Sequence, residues 1–309
     1  MASDVLLALG VVLAFVFGWN NSSFLIGNGE GSGSLTLREA LIVSSVGLLL
    51  GVALEGSQML RSLSGSVTPV AGDQVVLVAL LVSLSLTIVL STLKLPVSFS
   101  MAIVGAFAGA AFGSSLPLNG PRLEDIVAFW FLSPILAAVL AYAFYRIILR
   151  SASRLSLLAV DGASRYGVII TSLIIAYVLG ANNIGLIYGM TLNGSPVSET
   201  FPLLLVVVAI VGMVALGRGG ISGTIGDRLL GLSPFGVVAT FLASAVLIWT
   251  GTQLAIPISI SQCLLGGMFG AAFTKQTSAI NTRLATESIA MWVVVPVGAF
   301  VLGFLLVGV

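Results

Sequence analysis

The chain has no histidine, a single cysteine (Cys263) and very little charge: 12 Lys and Arg and 11 Asp and Glu in 309 residues, or 7%. Each shortage excludes something. Without histidine there is no haem–His ligation, no HExxH zinc site and no Ser-His-Asp triad. A lone cysteine makes no internal disulfide and no Cys-rich metal centre. A formal net charge of +1 offers no basic face to nucleic acid. Soluble domains average about 25% charged residues, and a globule of this length could not cover itself with 7%. Neither a metal nor a cofactor is expected, and no catalytic set for an enzyme is visible.

What remains is apolar. Hydrophobic residues make up 58% of the chain and 36 glycines are present; mean hydropathy is +1.18. A spanning helix needs about 20 mostly apolar residues, and ten segments qualify as candidates: roughly 4–26, 38–60, 73–93, 96–114, 125–149, 166–188, 199–217, 234–254, 257–274 and 288–309. The fold class is an all-α polytopic protein of the cell membrane, bathed in the lipid bilayer. The first run, Val5–Phe17, has no basic stretch before it and reads as a span rather than a signal peptide.

The two halves repeat. Gly18-Trp19-Asn20-Asn21 returns 162 residues later as Gly180-Ala181-Asn182-Asn183. Pro96-Val97-Ser98-Phe99-Ser100 returns 161 residues later as Pro257-Ile258-Ser259-Ile260-Ser261, and Trp130 and Pro134 return as Trp292 and Pro296. Residues 1–149 form one repeat, 150–165 a cytoplasmic linker and 166–309 the other. Five segments per repeat is an odd number, so the copies are expected to be inverted. Basic residues favour the cytoplasmic side. With both termini outside, Arg38, Lys94, Arg146, Arg150, Arg154, Arg165, Arg218, Arg228, Lys275 and Arg283 lie inside and only Arg61 and Arg122 outside. Inverted repeats are a signature of secondary transporters, with the substrate site near mid-membrane between them.

Two polar constellations interrupt the apolar spans. Asn20, Asn21, Ser22 and Ser23 sit in the first segment, and Asn182 and Asn183 sit in its counterpart. Amides are costly in hydrocarbon unless paired or facing a cavity. Adjacent Asn residues also compete for backbone hydrogen bonds, so a broken helix is expected in each half. The second constellation is Ser98 and Ser100 with Ser259, Ser261 and Gln262. Proline suits the first turn of a helix. Serines just after it stand near the free N–H groups of a helix start, which is a ready anion site. Two such starts facing one point could enclose a tetrahedral oxyanion. Glu55 lies inside a span and is a proton-relay candidate; Glu30, in the Gly-Ser stretch 29–34, is a second.

The segment Gly18-Trp19-Asn20-Asn21…Gly27, followed by Leu35-Thr36-Leu37-Arg38-Glu39-Ala40, resembles the first signature of the inorganic phosphate transporter (PiT) family. Gly180-Ala181-Asn182-Asn183 resembles the second copy, and the Pro-x-Ser segments resemble the family's Leu-Pro-Val-Ser-Thr-Thr repeats. The resemblance implies a secondary anion transporter with inverted repeats, often a homodimer, driven by Na⁺ or H⁺. The signature Asp is replaced by Asn21 and Asn183, its second Asn by Phe24 and Leu186, and the acid of the following helix by Leu48. Related sulfate permeases also lack that Asp, and Gly51–Gln58 resembles theirs. Phosphate keeps a proton that a carboxylate can accept, whereas sulfate only accepts hydrogen bonds and suits amide and hydroxyl donors. The expectation is therefore a proton-coupled sulfate transporter. A phosphate transporter driven by Na⁺ or H⁺, or an uncoupled anion channel, is the alternative.

Overall fold

Long apolar runs, started by capping residues and stopped by Gly, Ser and Leu-rich turns, fold as helices. A computed structural model describes residues 2–69, 71–93, 95, 97–193, 200–216, 232–274 and 282–308. Among these the chain is helical throughout, without a strand. The α-helices are α1 (Ala2–Ser22), α2 (Asn28–Gly31), α3 (Leu37–Glu55), α4 (Asp73–Thr92), α5 (Phe99–Gly113) and α6 (Gly120–Ala152). They continue with α7 (Leu157–Leu179), α8 (Gly185–Leu192), α9 (Phe201–Leu216), α10 (Pro234–Gln253), α11 (Ile260–Thr274) and α12 (Thr282–Leu306). Seven helical stretches are long and apolar enough to cross a membrane; α5, α9 and α11 are shorter. At 1.5 Å per residue the 15 residues of α5 or α11 cover only about 22 Å of a roughly 30 Å core.

Local chemistry sets the boundaries. Thr36 and Glu39 form a reciprocal capping box at the start of α3. Asn119 caps α6, and Ser233 caps α10 with Pro234 just inside. The polar stretch 150–165 looked like a connection because it is poor in apolar residues. In the structure only 153–156 lies between α6 and α7. Ser156 accepts from the Ala159 N–H and starts α7 there, so this polarity belongs to helix ends. The helical path is not severed at the Asn pairs either. It widens into π-turns at Ser23–Gly27 and Gly180–Ile184, and such turns free backbone groups without ending the helix.

Packing pairs each half with the other. α5 runs along α12 and α11 along α6; α1 crosses α9 and α3 crosses α7. Glycine makes the closest of these approaches possible. A β-carbon at Gly109 would fall on the carbonyl of Phe300, and one at Gly270 on the carbonyl of Ala138.

α4 and α5 form an antiparallel hairpin, and so do α10 and α11. Both helices of the second hairpin lie 161 residues after those of the first, at each boundary. The base of the first hairpin rests on the end of α12, where Gln74 Nε2 donates to Val307 O and Gly113 packs on Val307. The base of the second rests on α6, through Tyr145 and Ser233 (2.7 Å) and through Gly270 against Ala138. Both helices leading to the tips end in the same wide turn, with Leu95 N bonded to Leu90 O and Ile256 N to Gly251 O. The tips touch: Ser100 Oγ donates to Ile258 O at 2.7 Å.

Candidate functional site

The two Asn pairs divide their labour in the same way. Asn20 Nδ2 donates to Ser91 Oγ at 2.9 Å. Asn182 Nδ2 donates to Thr252 Oγ1 at 3.0 Å and to Ile256 O at 3.2 Å, and its Oδ1 accepts from the Ile258 N–H. Ser91 and Thr252 are again 161 residues apart. In each half the first Asn fastens the long helix carrying it to the neighbouring hairpin. Trp130 Nε1 adds a bond to Pro257 O. Arg122 Nη2 closes the end of α10 through the carbonyls of Leu254 and Ala255, where a cation complements the helix dipole.

The second Asn of each pair lines a small pocket between the hairpin tips. Its walls are Asn21 and Asn183, Val97 to Ser100 from one tip, and Ile260 and Ser261 from the other. The start of α5 points into it. The first intrahelical bond of α5 is Ala102 N to Ser98 O, so the N–H groups of the first turn have no carbonyl of their own helix to meet. Ser98 Oγ is buried with no partner and gives no capping bond to its helix. On the opposite wall Ser259 and Ser261 share a hydrogen bond of 3.1 Å, and the Gln262 N–H donates to Ser259 Oγ. Asn21 spends one amide hydrogen on Phe17 O at 3.0 Å, and Asn183 directs one to Asn182 Oδ1 at 3.4 Å. Each amide keeps one N–H hydrogen and its oxygen. Among the described residues none of those lining the pocket carries a charge. Two helix starts, hydroxyls and neutral amides around a small pocket can replace the hydration shell of a small oxyanion.

The profile of the phosphate transporter family matches residues 17–303. The chain belongs to the phosphate transporter family. A chain of Methanocaldococcus jannaschii named as a candidate phosphate permease is 28% identical over 97% of this chain and 95% of its own length. A Bacillus subtilis chain named as a candidate low-affinity inorganic phosphate transporter is 24% identical over 96% of each. The solved structure titled "The sodium-dependent phosphate transporter" has the same fold, with a TM-score of 0.83 over 99% of this chain and 98% of that one, at 17% identity.

In this family member the remaining predicted residues lie around the cavity or away from it. Ser22 bonds back to Trp19 O at 2.8 Å. Ser23 opens the first π-turn; its side chain lies outside the described residues, as does Pro96. Gln262 is buried one residue beyond the cavity wall. Glu30 is exposed on α2. Glu55 ends α3 half-buried and accepts from Trp249 Nε1 at 3.3 Å and Gln253 Nε2 at 3.2 Å, both on α10. Sequence reasoning missed Ser91 and Thr252. A hydroxyl at the same repeat offset beside each Asn pair was the available signal. Val97, Phe99 and Ile260 were missed because apolar residues in an apolar run carry no mark.

Proposed function

We propose that the chain is a secondary transporter carrying inorganic phosphate across the cell membrane through the cavity between the hairpin tips. The cavity itself carries this reading: walled by the start of α5, the first turn of α11 and the side chains of Asn21 and Asn183, with no charge among the described residues that line it. Two inverted five-segment repeats account for the reciprocal packing and the constant offset. In this arrangement α4–α5 and α10–α11 are re-entrant, entering from opposite faces. Leaving out Lys94, which lies outside the described residues, the basic residues then divide nine against two, with both termini outside.

The preference for sulfate finds no support among the relatives, whose names carry phosphate. It assumed that Asn21 and Asn183 act as donors. Each amide keeps one N–H and also its oxygen, and an oxygen facing the substrate accepts a proton, which phosphate has and sulfate lacks. Charge argues the same way. The solvation penalty of an ion grows with the square of its charge, so a wall whose described residues are uncharged favours a monoanion over a dianion. Dihydrogen phosphate meets both conditions: two hydroxyls for the two amide oxygens, and two bare oxygens for the helix starts and serines. The proton then travels on the substrate, which gives proton coupling without an acidic side chain in the cavity. Sodium prefers charged oxygen ligands, and none lines the cavity. Glu55 acts in this reading as a tether between α3 and α10. The test is uptake of labelled phosphate and sulfate into proteoliposomes, with and without Na⁺. Uptake of phosphate without Na⁺ is expected; uptake of sulfate alone overturns the assignment.

A further inference from the structure

Among the described residues eight buried polar atoms outside the cavity have no hydrogen-bond partner, and four of them belong to three neighbouring helices: Ser172 Oγ on α7, Thr240 Oγ1 and Ser244 Oγ on α10, and Gln262 Oε1 on α11. Buried polar groups are ordinarily paired, and lipid offers no substitute. A hydroxyl in a helix has an easy remedy, a bond to the carbonyl one turn back. Ser83, at Ser244's place in the first half, takes it by donating to Ala79 O; Thr87 does the same to Ser83 O. On α10 itself Thr250 and Thr252 also bond back, to Val246 O and Ile248 O. Thr240 and Ser244 are exceptions on a helix whose other hydroxyls conform.

The four groups lie at neighbouring levels along the seam of α7, α10 and α11. Gly167 meets Val238 and Asn182 meets Thr252, so α7 and α10 run in parallel and Ser172 falls within a turn of Ser244. Gly267 meets Thr240 and Gly251 meets Ile258, so α11 runs back along α10 and Gln262 also falls within a turn of Ser244. Thr240 and Ser244, four residues apart, share a helix face. Gln262 follows Ser261, which lines the cavity. The seam therefore leads from the cavity toward the N-terminal ends of α7 and α10. The corresponding places in the first half hold Gly10, Ala79 and Met101 beside the self-satisfied Ser83.

We propose that this seam is the inner passage of the transporter, its hydroxyls and amide left unpaired for water and for the oxyanion moving between the cavity and the cytoplasmic face. The proposal rests on the reading of the cavity as a transport site. Neutral groups suit a passage: they replace hydration without holding an anion fast.

The test uses thiol access. Cys263→Ala removes the only native thiol, and Ser244→Cys or Ser172→Cys then reports on the seam. Val246→Cys, on the exposed face of α10, reports on lipid, and Ser83→Cys on the first half. A membrane-impermeant methanethiosulfonate is applied to either face of membrane vesicles. Modification of Ser244→Cys from the cytoplasmic face about tenfold faster than Val246→Cys is expected, since burial away from water suppresses the thiolate; Ser83→Cys should not exceed the lipid control. Phosphate should slow the reaction at Ser244→Cys. Equal rates at Ser244→Cys, Ser172→Cys and Val246→Cys overturn the passage, as does reaction from the outer face alone. Fast modification unaffected by phosphate supports the passage while removing the phosphate reading.

Discussion

At the scale of single residues, two neighbouring asparagines carry different burdens. Asn182 satisfies the Ile258 N–H and holds Thr252 and Ile256; Asn183 has only a long bond to Asn182 and faces the cavity. Asn182→Ala leaves a buried N–H without an acceptor, which costs about 1–3 kcal/mol. It should lower the melting temperature in detergent. Asn183→Ala should lose less stability but weaken phosphate binding, read as a raised KM. Equal loss of stability in both variants would contradict the division. Asn21→Asp places a negative charge on a wall whose described residues carry none. At roughly 4 Å and an effective dielectric of about 20, like charges repel by about 4 kcal/mol. Uptake at low phosphate should fall by at least tenfold, and added Na⁺ should restore part of it by neutralising the new carboxylate. The sequence made the Asn pairs and serines legible because polar residues stand out in an apolar run. It did not make legible which Asn of each pair is structural, because that depends on a hydroxyl some 70 positions away in sequence.

At the scale of helices, most segment positions were legible from hydropathy, since α4, α5, α10 and α11 each begin and end within a few residues of an apolar run. Their direction was not. Length and apolarity cannot distinguish a crossing from a re-entrant hairpin, and the proposed re-entry rests on tertiary contacts such as Gln74 with Val307 and Ser100 with Ile258. Helix ends within 150–165 were not legible for a related reason: polarity does not mark where a helix stops, and α6 runs to Ala152 while α7 starts at Leu157. The helix contacts give a prediction of their own. In Gly270→Ala the new methyl meets the Ala138 carbonyl, which backbone cannot easily yield. Forcing α11 from α6 should cost about 1–3 kcal/mol and slow uptake, because α11 carries Ser261 into the cavity. Gly298→Ala, with no atom within 4 Å of the added carbon, serves as the control and should leave both stability and uptake unchanged.

At the scale of the whole molecule, the question is where the proton sits while the anion crosses. Two carriers are available: the phosphate itself and Glu55, at the junction of α3 with α10. They make different demands on pH. If the monoanion is the species bound, its fraction rises as pH falls through the second ionisation of phosphate, so uptake should rise with acidification at equal pH on both sides. This dependence belongs to the substrate and survives any change of side chain. A relay through Glu55 would put the dependence in the protein, and Glu55→Gln would abolish it. Gln is isosteric, and its amide oxygen can still accept from Trp249 or Gln253, so much of the tether is retained. The expected result is that Glu55→Gln keeps the rise in uptake on acidification, with a modest loss of rate from the weakened link between α3 and α10. A flat pH profile in Glu55→Gln proteoliposomes would transfer the proton from the substrate to the glutamate, and with it the mechanism of coupling.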